Sequence, residues 1–307
     1  MSDLSNPIFH DETKAREWLE GELWPEGPIC PKCGTVGEAT LMQGKSHRPG
    51  LYQCNSCREP FTVTVGTLYE RSKVPLNKWF AATHLLIASK KGMSALQIGR
   101  LLGLSKKTAW FLCHRIRESL RKTNPDMLGG DSKIVEFDES FVGGKEANKH
   151  RFKRNKKNMG GRGKESVFAL LERGGNVRSH HMPDVSAKTL RPILEAQIKT
   201  DTRTMNDDGG ARVGHDRPFH QSVNHSAGEY VRGEAHTNTA GGYFSIVKRG
   251  INGVYHHASQ QHLKRYLAAF DFRYNERSSR MLSAWPNRSR VSWEASNVSN
   301  NSLRSLL

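Results

Sequence analysis

Four cysteines arranged as two pairs carry the most specific chemistry in this sequence. Cys30 and Cys33 form one Cys-x-x-Cys pair, and Cys54 and Cys57 form a second pair after 20 intervening residues. Each pair presents two thiolates on a tight turn, and a tetrahedral zinc ion needs two such pairs facing each other. Tandem pairs favour this site over a redox pair or four unrelated core cysteines. Because four cysteine ligands leave no coordination position for substrate, we predict one structural zinc ion per chain.

The sequence around these cysteines predicts a zinc ribbon over residues 9–70. The alternating residues 52–53 and 61–65 are typical of a β-hairpin around the second pair. A short helix is predicted over residues 11–22, with Asp11 as its N-cap. The fifth cysteine, Cys113, stands in an apolar helical stretch, so we predict that it is a small core residue.

Residues 71–125 are predicted to form a helix-turn-helix domain. Apolar periodicity predicts three helices there, separated by breaks at residues 91–92 and at Gly103. Ser94 and Ser105 are the expected N-caps of the two helices of the motif, and the second of these helices is expected to read DNA. The alternative is an ordinary helical hairpin with a solvated basic face.

The expected DNA contacts lie on the last of these helices. Its exposed first turn carries Lys106, Lys107 and Thr108, which we expect in the major groove. Further along, Arg115 and Arg117 are expected to contact phosphate, which fixes register rather than sequence choice. The small core between the helices is predicted to consist of Ile98, Leu101, Leu104 and Trp110.

The charge of the chain favours a polyanionic partner. Its 47 Lys and Arg residues outnumber its 30 Asp and Glu residues, and the net charge of +17 favours nucleic acid through counterion release. No apolar run approaches the length of a membrane-spanning helix. The acidic and polar start lacks the order of a secretory signal. We therefore expect double-stranded DNA as the partner, no membrane and a cytoplasmic location.

Beyond a linker at residues 122–132, the sequence predicts an α/β domain over residues 130–277. Short β-prone runs and helical stretches are mixed along the chain, which is typical of an α/β fold. The β-prone runs are 134–137, 166–171 and 202–205, and the helical stretches are 187–198, 237–250 and 259–274. Residues 278–307 are rich in Ser, Asn and Arg without periodicity, which predicts disorder.

A carboxylate on an apolar strand is the first candidate for catalysis in this domain. The strand Val135-Glu136-Phe137-Asp138 leads towards a turn at Gly143-Gly144. A two-metal phosphoryl-transfer site requires such a strand-borne Asp, held in fixed geometry, as its first ligand. Surface strands also carry Asp, so this feature alone does not identify the activity.

Taken with later motifs, this strand resembles those of the bacterial insertion-sequence transposases of the ISXO type. These belong to the DDE superfamily and carry a zinc ribbon in front. The resemblance runs from about Phe9 to Arg277. Its motifs are Val135–Lys145, Met205-Asn206-Asp207-Asp208, His220–Val231, His236-Thr237-Asn238-Thr239-Ala240 with its continuation to Gly250, Tyr255-His256-His257, His262–Leu267 and Phe270–Asn275.

The resemblance implies an RNase H-like catalytic domain with three metal-binding positions. Asp138 matches the first family Asp and Asp207 the second, with Asp208 as the adjacent alternative. These carboxylates are expected to hold Mg²⁺ or Mn²⁺, which would activate water or a 3′-hydroxyl for in-line attack on a phosphodiester. Lys248 is expected at the same site, in contact with DNA phosphate.

The third metal position departs from the pattern that the resemblance implies. Gly241 stands seven residues before Lys248, where a Glu is expected. Some branches of the family use Asn, and Asn238 lies ten residues before Lys248. Offsets of three, seven and ten share one helix face, so these residues should point to the same site. Either Asn238 completes the site, or Gly241 marks a catalytically decayed copy.

Two further segments bear on function. Residues 145–164 contain nine Lys or Arg and one Glu, which favours a DNA-contacting loop over a merely solvated segment. The irregular tail favours decay, because a reading-frame change produces such a switch in composition. The encoding DNA should then show a family-like continuation in another frame.

Three functions follow from these features. The first is a transposase that binds terminal repeats and transfers strands, as a homodimer in a synaptic complex on the nucleoid. The second is a decayed copy that only binds DNA. The third, a zinc-ribbon transcription regulator, requires the Asp138 and Asp207 motifs to be accidental.

Overall fold

The structure, a computed structural model, describes residues 4–122, 125–144, 146–155, 161–207 and 213–277. These residues fall into two compact units: unit 1 holds residues up to 88 together with 95–120, and unit 2 holds 89–94 together with 121–277. The predictions for Asp208, for the tail at 278–307 and for part of the basic segment 145–164 lie outside the described residues. None of the described helices is long and apolar enough to cross a membrane.

Unit 1 begins with a capped helix and a small antiparallel sheet. Helix α1 spans Glu12–Leu23, and the Asp11 carboxylate accepts the backbone N–H groups of Thr13 and Lys14 at 2.7 and 3.1 Å, which confirms the predicted cap. The strands pair in the order β1-β2-β3 and span Ala39–Leu41, Tyr52–Cys54 and Pro60–Phe61. The predicted strand through residue 65 was too long, because the chain turns from residue 63 onwards.

Three helices complete unit 1 and confirm the helical pattern of the sequence. They are α2 (Leu76–Ala88), α3 (Ala95–Leu102) and α4 (Lys106–Ser119). Gly103 takes a left-handed φ of +62° at the turn between α3 and α4. The Ser105 hydroxyl accepts the backbone N–H of Thr108 at 3.2 Å, so this residue is the N-cap of α4, as predicted.

The predicted core of the helix pair was only partly right. Ile98 is fully buried, but Leu101 and Trp110 are 59% and 44% exposed. Helix α3 approaches α4 at Gly99, and Leu101 lies about 200° around the helix from that glycine. In α4 the buried stripe is Ala109, Leu112, Cys113 and Ile116. Trp110 stands one position away from the start of this stripe and therefore remains outside it.

A five-stranded mixed sheet forms the centre of unit 2. Its strands are β4 (Ile134–Val142), β5 (Glu165–Glu172), β6 (Val177–Met182), β7 (Arg203–Asp207) and β8 (His220–Val223). They lie in the order β6-β5-β4-β7-β8, in which β5 pairs antiparallel with both β4 and β6, while β4, β7 and β8 run parallel. This arrangement confirms the predicted α/β class with a zinc ribbon in front of an RNase H-like sheet. Strands β6 and β8 were not predicted from the sequence.

Helices cover both faces of this sheet. They are α5 (Ala187–Gln197), α6 (Asn238–Gly250) and α7 (Gln260–Asn275), and a π-helical turn at Ile251–Tyr255 follows α6. Phe137 of β4 belongs to the core beside α5, whereas Val142 belongs to the core beside α6 and α7. Because side chains alternate along a strand, Glu136 and Asp138 lie on the α6 side of the sheet.

A buried carboxylate ties α6, α7 and the edge strand β6 together. Asp271 of α7 accepts the backbone N–H of Ser179 at 2.8 Å and the Ser179 hydroxyl at 2.7 Å. It also accepts the Tyr243 hydroxyl of α6 at 2.5 Å. Burial raises the pKa of Asp271 to about 6, against hydrogen bonds from Tyr243 and Ser179 that lower it.

Candidate functional site

Each cysteine pair sits on the same kind of tight turn. The backbone N–H of Gly34 donates to the Cys30 carbonyl at 2.9 Å, and that of Arg58 donates to the Cys54 carbonyl at 3.0 Å. Both residues that follow a pair take a left-handed conformation, with φ of +77° at Gly34 and +63° at Arg58. This conformation closes the loop, so that both thiols of a pair face inwards.

The two turns bring the four thiols together. The ligand atoms of Cys30, Cys33, Cys54 and Cys57 all lie within 4.8 Å of one another. The Sγ atoms of Cys30 and Cys57 are 3.6 Å apart, as are those of Cys33 and Cys54. Tetrahedral zinc with Zn–S bonds of about 2.3 Å places its sulfurs about 3.8 Å apart. The geometry therefore fits a structural zinc ion.

The surroundings of the thiols differ between this cluster and Cys113. Hydrogen bonds from Thr35 lower the pKa of the Cys33 thiol to about 6, which favours the thiolate that zinc requires. Cys113 is fully buried in α4, and burial raises its pKa to about 11. Cys113 is therefore a core residue, as predicted.

Helix α4 presents only part of the predicted DNA-contacting set. Lys106 and Lys107 are exposed on its first turn, and Thr108 is partly exposed, with its hydroxyl 2.8 Å from that of Ser105. Arg117 is 1% exposed, because it continues the buried stripe one turn beyond Cys113. The prediction that Arg117 contacts phosphate does not agree with this burial.

Arg115 also turns inwards, although it is not fully buried. Its Nη1 donates to the backbone carbonyl of Glu70 at 3.1 Å. The guanidinium lies 5.5 Å from the ring centre of Trp79 and 5.7 Å from that of Phe111. To contact phosphate as predicted, the Arg115 guanidinium would have to give up these interactions inside unit 1.

Parallel pairing of β4 and β7 places the two predicted catalytic carboxylates level with each other. Glu136 is paired with Met205 in this ladder. Two residues further along each strand stand Asp138 and Asp207, the latter as the last residue of β7. Because equal steps along parallel strands keep residues level, the register brings these carboxylates to neighbouring positions.

Electrostatic interactions link these carboxylates with Glu139 and Lys248. Burial, with repulsion from Glu139 and Asp207, raises the pKa of Asp138 to about 7, and Lys248 opposes this shift. Burial and the charge of Asp207 also raise the pKa of Glu139. Glu139 was missed from the sequence, where it is merely the neighbour of Asp138. A divalent cation would offset the repulsion among these carboxylates.

Helix α6 carries the predicted third metal position. Asn238 is its first residue, and Asn238, Gly241 and Lys248 are all exposed, in agreement with a shared face. Apart from the backbone of its own helix and its chain neighbours, no atom of the described residues lies within 4 Å of the position of a Cβ on Gly241, so a side chain there has room. Within the part of the chain that the structure describes, the four cysteines are the only group of three or more His, Cys, Asp or Glu residues whose ligand atoms lie within 4.8 Å of one another.

Two histidines contact carboxylates of the strands that carry the site. The Nδ1 atom of His225 lies 3.0 Å from Oδ2 of Asp207, and the Tyr230 ring packs against the imidazole with centroids 4.8 Å apart. The Nδ1 atom of His236 lies 3.3 Å from Oε1 of Glu136. The sequence alone assigns neither histidine a role, because a lone His is more often structural.

Comparisons with known proteins identify relatives of both the cysteine-containing segment and the segment that carries Asp138 and Asp207. The family model described as a transposase zinc-ribbon domain matches residues 10–59. The model described as an ISXO2-like transposase domain matches residues 127–275. A relative from Halobacterium salinarum, described as an uncharacterized protein in transposable element ISH50, is 30% identical over 279 residues, which cover 86% of this chain and 91% of the relative. No solved structure matches this chain.

Proposed function

This chain belongs to the family of ISXO2-like transposases, and we propose that it binds the ends of its element and catalyses metal-dependent cleavage and transfer of DNA strands. The observation that carries the catalytic part is the register that sets Asp138 level with Asp207 on adjacent parallel strands. Two carboxylates in such positions provide the metal ligands of a phosphoryl-transfer site.

Unit 1 is the DNA-recognition part in this proposal. The zinc ribbon and the helix-turn-helix supply a rigid frame, and Lys106, Lys107 and Thr108 stand exposed on the first turn of α4. Side chains at that end of a recognition helix contact base edges in the major groove. We leave Arg117 out of this interface because it is buried.

Asp138 and Asp207 are the residues that would hold Mg²⁺ or Mn²⁺ in unit 2. When bound, such cations activate an attacking water or 3′-hydroxyl and stabilise the leaving oxygen. His225 orients the Asp207 carboxylate through its 3.0 Å contact. The positive charge of Lys248 opposes the rise in the pKa of Asp138 and would attract a phosphodiester to the site. Asn238 is the proposed third ligand, through its side-chain carbonyl oxygen.

A catalytically decayed copy that only binds DNA is the second candidate. It is favoured by Gly241, which has no side chain at the position where the resemblance leads us to expect a Glu, and where the described residues leave space for one. The two candidates differ in whether Asn238 suffices as the third ligand. Mobilisation of an element requires both of its ends to be held together, so we expect the active form to be a dimer on the nucleoid.

A strand-transfer assay with a labelled element end, a target plasmid and MgCl₂ or MnCl₂ distinguishes these candidates. Wild type should join strands, whereas Asp138→Ala and Asn238→Ala should lose the activity by at least about 100-fold. All variants should still bind the end fragment. If wild type is inert and Gly241→Glu joins strands, the decayed copy is the correct description.

A further inference from the structure

The carboxylate of Glu136 is enclosed in unit 2 and reaches the start of α6. Glu136 has no exposure to solvent, although it is a charged residue in the middle of β4. Its Oε2 accepts the backbone N–H of Ala240 at 2.9 Å, and its Oε1 accepts the Thr239 hydroxyl at 2.9 Å. A buried carboxylate is costly unless it is paired and hydrogen-bonded, and the first turn of α6 supplies two of these hydrogen bonds.

Glu136 takes over the capping of α6. The side chain of the N-cap residue Thr237 makes no capping hydrogen bond. Ala240 is the third residue of the helix, so its N–H has no partner within the helix. Glu136 satisfies that N–H from another element and brings a negative charge to the positive end of the helix dipole. The start of α6 is therefore attached to β4, in addition to the local contact in which Nδ1 of His236 accepts the Asn238 backbone N–H at 3.4 Å.

Arg173 connects the same carboxylate to the segment before α6. Its Nε donates to Oε1 of Glu136 at 2.6 Å, and its Nη2 donates to the backbone carbonyl of His236 at 2.9 Å. Its own backbone N–H donates to the Ile134 carbonyl at the start of β4 at 2.9 Å. The guanidinium thus holds the entry of α6 to the same strand that carries Glu136.

Glu136 and the metal-binding Asp138 are two residues apart and share one face of β4. The helix that Glu136 holds carries Asn238, Gly241 and Lys248. We infer that Glu136 is a positioning residue, which fixes the first turn of α6 to β4 and thereby sets the distance between Asp138 and the third metal position. This inference rests on the proposed metal-dependent strand transfer.

The test uses the full-length zinc-loaded protein with two variants and one matched control. Glu136→Gln removes the charge but keeps the shape, and Thr239→Val removes one hydrogen bond while keeping the buried ion pair. Glu172→Gln is the control, because Glu172 of β5 accepts the Gly129 backbone N–H at 2.9 Å and pairs with Lys133 at 3.0 Å, and neither of these partners belongs to α6.

Two measurements are made on each protein. Binding of Mn²⁺ is titrated by electron paramagnetic resonance of the free ion. Amide hydrogen exchange is followed in residues 238–242 and, for comparison, in α7. Glu136→Gln should weaken Mn²⁺ binding by about 10- to 100-fold and accelerate exchange only at residues 238–242. Thr239→Val should shift both readouts less and in the same direction, and Glu172→Gln should shift neither.

The inference is wrong if Glu136→Gln lowers the melting temperature but matches Glu172→Gln in Mn²⁺ affinity and in exchange of the first turn of α6. If Glu136→Gln does not fold, Thr239→Val decides by the same two readouts. A wild type that binds no Mn²⁺ contradicts the proposed function instead. In that case unchanged exchange at residues 238–242 in Glu136→Gln still overturns the positioning role, and accelerated exchange supports it.

Discussion

The Nδ1 atom of His225 lies 3.0 Å from Oδ2 of Asp207, and the backbone N–H of the same histidine points at Oδ1 from 3.4 Å. Both oxygens of a proposed metal ligand are thus oriented by one residue. Partners of this kind fix the direction in which a carboxylate presents its lone pairs.

His225→Ala should therefore reduce strand transfer by about 10- to 100-fold without changing the affinity for the element end. The matched control is His181→Ala. His181 of β6 lies 2.7 Å from Glu165, and β6 forms the edge of the sheet opposite to β8. Full activity of His225→Ala would show that Asp207 needs no such support.

Zinc should be bound by four cysteines and by no other thiol. Cys57→Ser is expected to lose the metal and to expose the ribbon to proteolysis, because its small core rests on Cys30, Cys54 and Phe61. Cys113→Ser should retain one zinc ion per chain. Metal analysis of the purified proteins measures both outcomes, and loss of zinc from Cys113→Ser would contradict the assignment.

The salt dependence of DNA binding should identify the contacts of α4. In the proposed interface, Lys106 and Lys107 each bring a positive charge into the major groove, so replacing either by Ala should lower the slope of log affinity against log salt by about 1. Lys14→Ala, which removes an exposed lysine paired with Glu17, serves as the control. Arg117→Ala should instead lower the melting temperature and leave the slope unchanged, because that side chain is buried. Fluorescence anisotropy at several salt concentrations provides the slopes.

The stability of unit 2 should depend on the protonation of Asp271. Its folded pKa of about 6 lies above the ordinary value of 3.8, so the folded state binds the proton more tightly. The stability that the folded state gains from this proton is complete below about pH 4 and is lost as the pH rises through 6. The free energy of unfolding of wild type relative to Asp271→Asn should fall by up to about 3 kcal/mol over that range. Urea titrations at several pH values measure it, and parallel curves for the two proteins would contradict the prediction.

The sequence predicted what depends on local pattern and spacing. The zinc cluster and the order of helices in unit 1 follow from cysteine spacing, caps and glycine breaks, which act within a few residues. The role of Glu136 could not be predicted, because its partners Arg173 and Ala240 are 37 and 104 residues away along the chain. The only local sign of this role is that Glu136 is a charged residue two positions before Asp138 in an apolar strand.

The differences between the sequence predictions and the structure also have physical causes. The sequence predicts a phosphate contact for Arg117 as part of the basic surface of α4, but its position on that helix coincides with the buried stripe. Burial of an arginine depends on what packs around it, and periodicity alone favours the apolar residues of the stripe. The edge strands β6 and β8 were missed because their residues, such as His180, His181 and His220, lack the apolar alternation of a half-buried strand.

The two-residue separation of Glu136 and Asp138 also constrains how this gene can change in evolution. Insertion or deletion of one residue between them would place the two carboxylates on opposite faces of the sheet, so that one of them would meet the apolar core beside α5. Apolar residues of β4 can be exchanged for one another, whereas its length cannot change. Length variation among relatives should therefore accumulate in the connection between β4 and β5, where the basic segment lies.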